Sequence, residues 1–114
     1  MAMSAKELVQ AAKKVIKEVN IDEANAMIAE GSIALDIREP AEFEAGHIPN
    51  AIHIPRGVLE FKIDGHEAFT DKSKSIVIYC RSGGRSALAT RVLEQMGYMS
   101  VSSMDGGYDL WSES

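Results

Sequence analysis

Cys80 is the single cysteine of the chain and heads Cys-Arg-Ser-Gly-Gly-Arg-Ser (80–86), a run whose residue types suit nucleophilic sulfur chemistry. The preceding Ile76-Val77-Ile78-Tyr79 has strand character and helical spacing begins at Ser86, so the thiol is expected at a strand-to-helix turn. Gly83 and Gly84 permit backbone angles closed to other residues, which lets successive N–H groups curl toward one point, and the new helix directs its positive end there. Such a cradle binds an anion. The first anion within its reach is the Cys80 thiolate, because a helix N-terminus and nearby arginines lower a thiol pKa from about 8.5. The competing expectation is a small, inert, buried Cys80, and the two arginines and two glycines that follow it argue against that.

Other chemistry has less support. One cysteine and three scattered histidines, His47, His53 and His66, have no metal-ligand spacing, so no metal is expected, and nucleophilic sulfur chemistry by a thiolate needs no organic cofactor. A lone cysteine forms no internal disulfide, and no apolar run approaches the roughly 18 residues of a membrane span. The opening MAMSAKELVQAAKKVIKEV interleaves acids and lysines without an apolar signal core, so a soluble, reducing, cytoplasmic setting is expected. A net charge of −5 argues against nucleic acid or an anionic membrane as partner, while Arg81, Arg85 and Arg91 are expected to form a local cationic spot. With 114 residues, 46% of them hydrophobic, one domain with one core is expected.

The elements that must position the thiol alternate between helix and strand. Leu8, Ala12, Val15, Ile16 and Val19 recur at helical spacing, which predicts an amphipathic helix over Ala5 to Val19, here assigned as an N-terminal extension (1–19) packed on a domain of residues 20–114. Asn20 or Asp22 caps a second predicted helix, Glu23 to Glu30, stopped at Gly31. Ser32 to Ile37 reads as a strand buried on both faces, Pro40 to Ala45 as a short helix stopped by Gly46, and Ala51 to Ile54 as a brief strand ended by Pro55. Between Arg56 and Ser73 the pattern is mixed, with helical fragments at Val58–Phe61 and Ala68–Phe69. Ser75 to Tyr79 is the central strand, Ser86 to Met96 a helix stopped by Gly97, Met99 to Met104 an alternating strand, and Tyr108 to Trp111 a final short helix after Gly106-Gly107. The order implies an α/β domain with a mostly parallel sheet and helices on both faces.

Three segments in this order carry a family resemblance. LDIREPAEFEAGHIPNAIHIP (35–55), CRSGGRS (80–86) and MDGGYDLW (104–111) resemble the signature, active-site loop and C-terminal Gly-Gly/Trp segment of single-domain rhodaneses, proteins of the thiosulfate sulfurtransferase type. The resemblance spans about residues 20 to 111. It implies a three-layer rhodanese-like domain and a sulfurtransferase in which Cys80 takes the outer sulfur of a small anionic donor such as thiosulfate. The persulfide then passes it to a thiophilic acceptor, cyanide or a thiol, including a protein thiol. Arg81, Ser82, Gly83, Gly84, Arg85 and Ser86 would bind the donor, with Arg81 and Arg85 on its oxyanion and the loop amides on the persulfide. Asp36 and Arg38 match the signature's acidic and basic positions, either bracing the active-site loop as an ion pair or serving structure alone.

Two other functions stay open. Cysteine-dependent phosphatases and arsenate reductases also place a cysteine before a Gly-rich turn and an arginine, but four residues separate Cys80 from Arg85 where protein tyrosine phosphatase loops have five. The shorter loop favours a single sulfur atom over a tetrahedral phosphate, and no second cysteine is present to resolve an oxidised intermediate. A non-enzymatic rhodanese-like interaction module is the other alternative, and the intact Cys80 loop speaks against it. Ser86 is expected to cap its helix rather than bond the sulfur, His47 to fix a turn, and Tyr108 and Trp111 to pack.

Overall fold

The computed structural model describes residues 2–114. Five strands form one sheet: β1 (Lys17–Val19), β2 (Ile33–Asp36), β3 (Ile52–His53), β4 (Ile76–Tyr79) and β5 (Val101–Met104), in the order β1-β5-β4-β2-β3. Every pairing is parallel. Six α-helices connect and cover them, α1 (Ala5–Lys13), α2 (Ile21–Ala29), α3 (Pro40–Ala45), α4 (Leu59–Ile63), α5 (Gly84–Gln95) and α6 (Gly107–Ser112), with short 3-10 turns at Arg56–Val58 and Glu67–Phe69.

The period of the strands divides the interior in two. Ile76, Ile78 and Cys80 point to one face with Leu35 and meet Leu59, Ile63, Phe69, Ala89 and Leu93 from the α4 and α5 side. Val77 and Tyr79 point to the other face with Ala34 and meet Ile21, Ala24 and Met104, with Tyr108 and Trp111 packed beside them. Helices therefore cover both faces of the parallel sheet, as the alternation of elements implies.

Two expectations change. The helix predicted to run to Val19 stops at Lys13, and residues 17–19 instead form edge strand β1, in register with Ser102 to Met104. The apolar spacing of Val15, Ile16 and Val19 fits a helix, but pairing along β5 buries Val19 to 2% exposure and gives its backbone partners in the sheet. The last strand, Val-Ser-Ser-Met, reads in sequence as alternating, yet all four residues are buried because β5 lies between β1 and β4. Its serines are thus interior polar groups that need partners.

The topology also fixes where loops gather. From β2 the chain moves outward to β3, and from β4 it moves the opposite way to β5, so the loops after β2 and β4 diverge at adjacent carboxyl ends, the switch point where ligands bind in open α/β sheets. Asp36 pairs with Tyr79 at that edge, which sets Asp36 to Arg38 beside Cys80 to Arg85.

Candidate active site

Cys80 follows the last residue of β4, and the backbone turns at Gly83, which adopts φ 113° as the N-cap of α5. That left-handed angle favours glycine and aims the loop's amides inward. The helix thus begins two residues earlier than the sequence pattern implies, at Gly84. The thiol sulfur receives N–H bonds from Gly83 at 3.2 Å and Ser86 at 3.4 Å, and lies 3.6 Å from the Ser86 hydroxyl. Cys80 is only 1% exposed. Burial alone would push its pKa up, but the Ser86 hydroxyl and the amides of Ser86, Gly83 and Ser82 outweigh it and hold the thiol below its ordinary value.

Ser86 corrects an expectation. It sits inside α5 with a buried side chain, bonds the sulfur, and shares its hydroxyl with the Gly83 carbonyl at 3.3 Å and Ser103 Oγ at 2.8 Å. Ser103 had no signal in the sequence, since only the sheet register brings β5 against the loop. A second support comes from α6, where the amides of Tyr108 and Asp109 donate to the carbonyls of Cys80 and Arg81 at 2.8 and 3.0 Å. Backbones can approach this closely because residue 107 is glycine. A Cβ there would come within 2.5 Å of the Arg81 carbonyl carbon.

The arginines do not form the free cationic spot that their clustering in sequence predicts. Arg85 makes a two-point contact with Glu42 of α3, at 3.0 and 3.1 Å, which holds the Glu42 carboxyl down to about 2. Arg81 is exposed and meets Asp109 at 3.2 Å, whereas Arg91 lies along α5 and pairs with Glu94 at 3.7 Å. The acidic partners of Arg85 and Arg81 come from α3 and α6, far along the chain, so the loop sequence alone overstates its net charge. Ser82 is exposed, Gly83 is buried and Gly84 is partly covered.

Asp36 and Arg38 form a buried pair, with Arg38 Nη2 donating to Asp36 Oδ2 at 2.7 Å and to the Gly46 carbonyl at 2.7 Å. The guanidinium also stacks 4.2 Å from the centre of the Tyr108 ring. Arg38 therefore reaches the Cys80 loop through Tyr108 and α6, not by direct contact. Burial disfavours its charge, but Asp36 outweighs that and raises its pKa. His47 bonds the Phe43 carbonyl at 2.9 Å and stacks on Phe43, the turn role expected of it, while Tyr108 and Trp111 stack on one another. Among the described residues no group of His, Cys, Asp and Glu is placed to hold a metal ion, and no helix is long and apolar enough to cross a membrane.

The chain that carries this thiol in its amide cradle has relatives among known proteins. The chain is 34% identical over 95 residues to the thiosulfate sulfurtransferase GlpE of Pseudomonas syringae pv. syringae, covering 83% of this chain and 86% of the relative. A sulfurtransferase of Allochromatium vinosum is 33% identical over 100 residues, or 86% and 90% of the two chains. Among solved structures, a Rhodopseudomonas palustris protein of unknown function, described as a possible tyrosine phosphatase, superposes with a TM-score of 0.86 at 31% identity over 99% of this chain and 92% of its own. The human single-domain sulfurtransferase TSTD1 superposes with a TM-score of 0.77 at 27% identity over 84% and 95%. Residues 20–114, which hold the sheet from β2 onward, the Cys80 loop and α6, match the rhodanese-like domain, and the chain belongs to that family.

Proposed function

We propose that this protein is a sulfurtransferase that carries sulfane sulfur as a persulfide on Cys80. The observation that supports it most directly is the convergence of the Gly83 and Ser86 N–H groups on Cys80 Sγ, at 3.2 and 3.4 Å. These donors favour the thiolate before the reaction and the terminal sulfur anion after it. With thiosulfate as donor, the Cys80 thiolate attacks the outer sulfur, a Cys80–sulfur bond forms, the donor's S–S bond breaks, and sulfite leaves with the electron pair. An acceptor nucleophile, cyanide or a thiolate, then attacks the outer sulfur of the persulfide and returns Cys80 as thiolate. Neither step needs a metal or organic cofactor, and the cycle suits a reducing compartment such as the cytoplasm. Glu42 leaves Arg85 with reduced charge toward a donor oxyanion, so the loop amides take the larger share of anion binding and Arg85 shapes the loop.

The test is intact mass after incubation with thiosulfate and desalting. The wild type is expected to gain one sulfur atom, lose it to cyanide, and leave an aryl phosphate unhydrolysed, whereas Cys80→Ser gains nothing because its hydroxyl supplies no anionic nucleophile. A wild type that stays unmodified, or a Cys80→Ser variant that transfers sulfur, sinks this function.

A further inference from the structure

The segment before residue 20 lies outside the match to the family, yet it reaches the Cys80 loop. Helix α1 packs along α5. A Cβ placed on Gly84 would lie 3.8 Å from Val9, and one on Gly83 would lie 3.8 Å from Lys13 Nζ, 3.7 Å from Asp105 Oδ1 and 3.5 Å from the Gly106 amide. Gly83, whose N–H bonds the sulfur, is therefore buried beneath the end of α1 and the turn between β5 and α6.

Lys13 ties these pieces together. Its ammonium donates to Glu18 of β1 at 2.9 Å and to Asp105 at 3.2 Å, while the Asp105 amide donates to the carbonyl of Val19 at 2.9 Å. The same turn continues into Tyr108 and Asp109, whose amides hold the carbonyls of Cys80 and Arg81. One cation thus links α1, β1 and the turn that clasps the loop from its far side.

We propose that Lys13 is a positioning residue for the Cys80 loop: by clipping α1 and β1 to Asp105 it presses the 105–107 turn against Gly83 and keeps the Gly83 N–H aimed at the sulfur. The proposal rests on the sulfurtransferase function, since it names what prepares the same thiol for attack. The charged groups around the loop are Arg81 and Arg85 on the loop, Glu39 and Glu42 from α3, Asp105 and Asp109 from the turn and α6, and Lys13 and Glu18 from α1 and β1. His47 and His53, stacked on Phe43 of α3, are common to every variant below, so differences between variants do not come from them.

The experiment compares Lys13→Met and Asp105→Ala by the pH profile of Cys80 alkylation with iodoacetamide and by the rate of sulfur loading from thiosulfate at pH 7. A purely through-space effect of charge would move the alkylation midpoint up when the lysine is lost and down when the aspartate is lost. A clip moves both up, because either change releases the turn. We expect a rise of about half a unit to one unit in each, with loading about three- to tenfold slower. Lys13→Arg should restore both, and Lys14→Met, which removes the same charge from the exposed neighbour, should change neither. Midpoints that move in opposite directions, or that stay at the wild-type value, overturn the proposal. Should Lys13→Met fail to fold, Asp105→Ala decides by the direction of its shift. Absence of loading in the wild type overturns the sulfurtransferase function instead, and the alkylation profiles still report on the clip.

Discussion

The loops that follow β2 and β4 start from neighbouring registers of one sheet and use their polar groups in opposite ways. After β2, Asp36 and Arg38 are buried and spend their hydrogen bonds on each other, on the Arg38 amide and on Gly46. After β4, the loop leaves its amides for the Cys80 sulfur and has its carbonyls held from behind by α6. One loop satisfies itself and becomes a brace, while the other depends on its neighbours and keeps its donors for the Cys80 sulfur. The difference shows why two charged, Gly-bordered loops at one sheet edge carry different burdens.

The largest effect should come from breaking the brace. Asp36→Ala leaves the Arg38 guanidinium buried without its carboxylate, and is expected to cost about 3–5 kcal/mol of stability, read as a lower denaturant midpoint. Cys80 in the fraction that stays folded should still load sulfur, and full loss of loading in folded protein would show that the β2 loop acts in the chemistry.

Gly107→Ala attacks the other loop from behind. Its Cβ would sit 2.5 Å from the Arg81 carbonyl group, with φ at 60°, so backbone must move. A displacement of about 1 Å at the cradle should slow sulfur loading by about 100-fold with a smaller loss of stability than Asp36→Ala. Wild-type loading by this variant would mean that α6 does not position the loop.

Ser86→Ala sharpens the contrast by removing the hydroxyl that lies 3.6 Å from the sulfur and leaving the Ser86 amide in place. The thiolate loses the hydroxyl contact, so the Cys80 pKa rises and less thiolate is present at neutral pH. Sulfur loading is expected to fall about tenfold at pH 7 and to recover toward the wild-type rate at pH 10, followed as rate against pH. A deficit that is equal at both pH values would assign Ser86 to packing.

The smallest effect concerns the pair that joins the two loops, Glu42 and Arg85. The Glu42 carboxyl is held at about 2 by the Arg85 guanidinium, so its contribution to stability is present above its ordinary titration range and fades as pH falls through 2. Glu42→Gln is expected to lose about 0.5–1 kcal/mol at pH 7, discounted because the pair is partly exposed, and to match the wild type near pH 2. Chemical denaturation at the two pH values checks this, and a loss that persists in acid would point to shape rather than charge.

Local chemistry in the sequence was enough to place Cys80 between a strand and a helix, to predict the alternating α/β order, and to mark Gly83 and Gly84 as the turn. Each of these depends on residues close together in the chain: an apolar β-branched run, a glycine pair, a helical period. Asp36 and Arg38 were legible as a pair because they are two positions apart, but not their burial. Glu42 on Arg85, Ser103 on Ser86, and the α6 amides on the loop carbonyls were not legible, since 43, 17 and 28 positions separate Glu42 from Arg85, Ser103 from Ser86 and Asp109 from Arg81. The end of α1 at Lys13 was lost for the same reason, because the pairing of Lys17 to Val19 with β5 competes with a local helical pattern and wins only in the assembled sheet. Sequence therefore determined which atom is the candidate nucleophile and which backbone turn presents it. Tertiary structure alone decided the charge around that atom and the supports that hold its donors in place, because both arise from partners that only the sheet register and helix packing bring together.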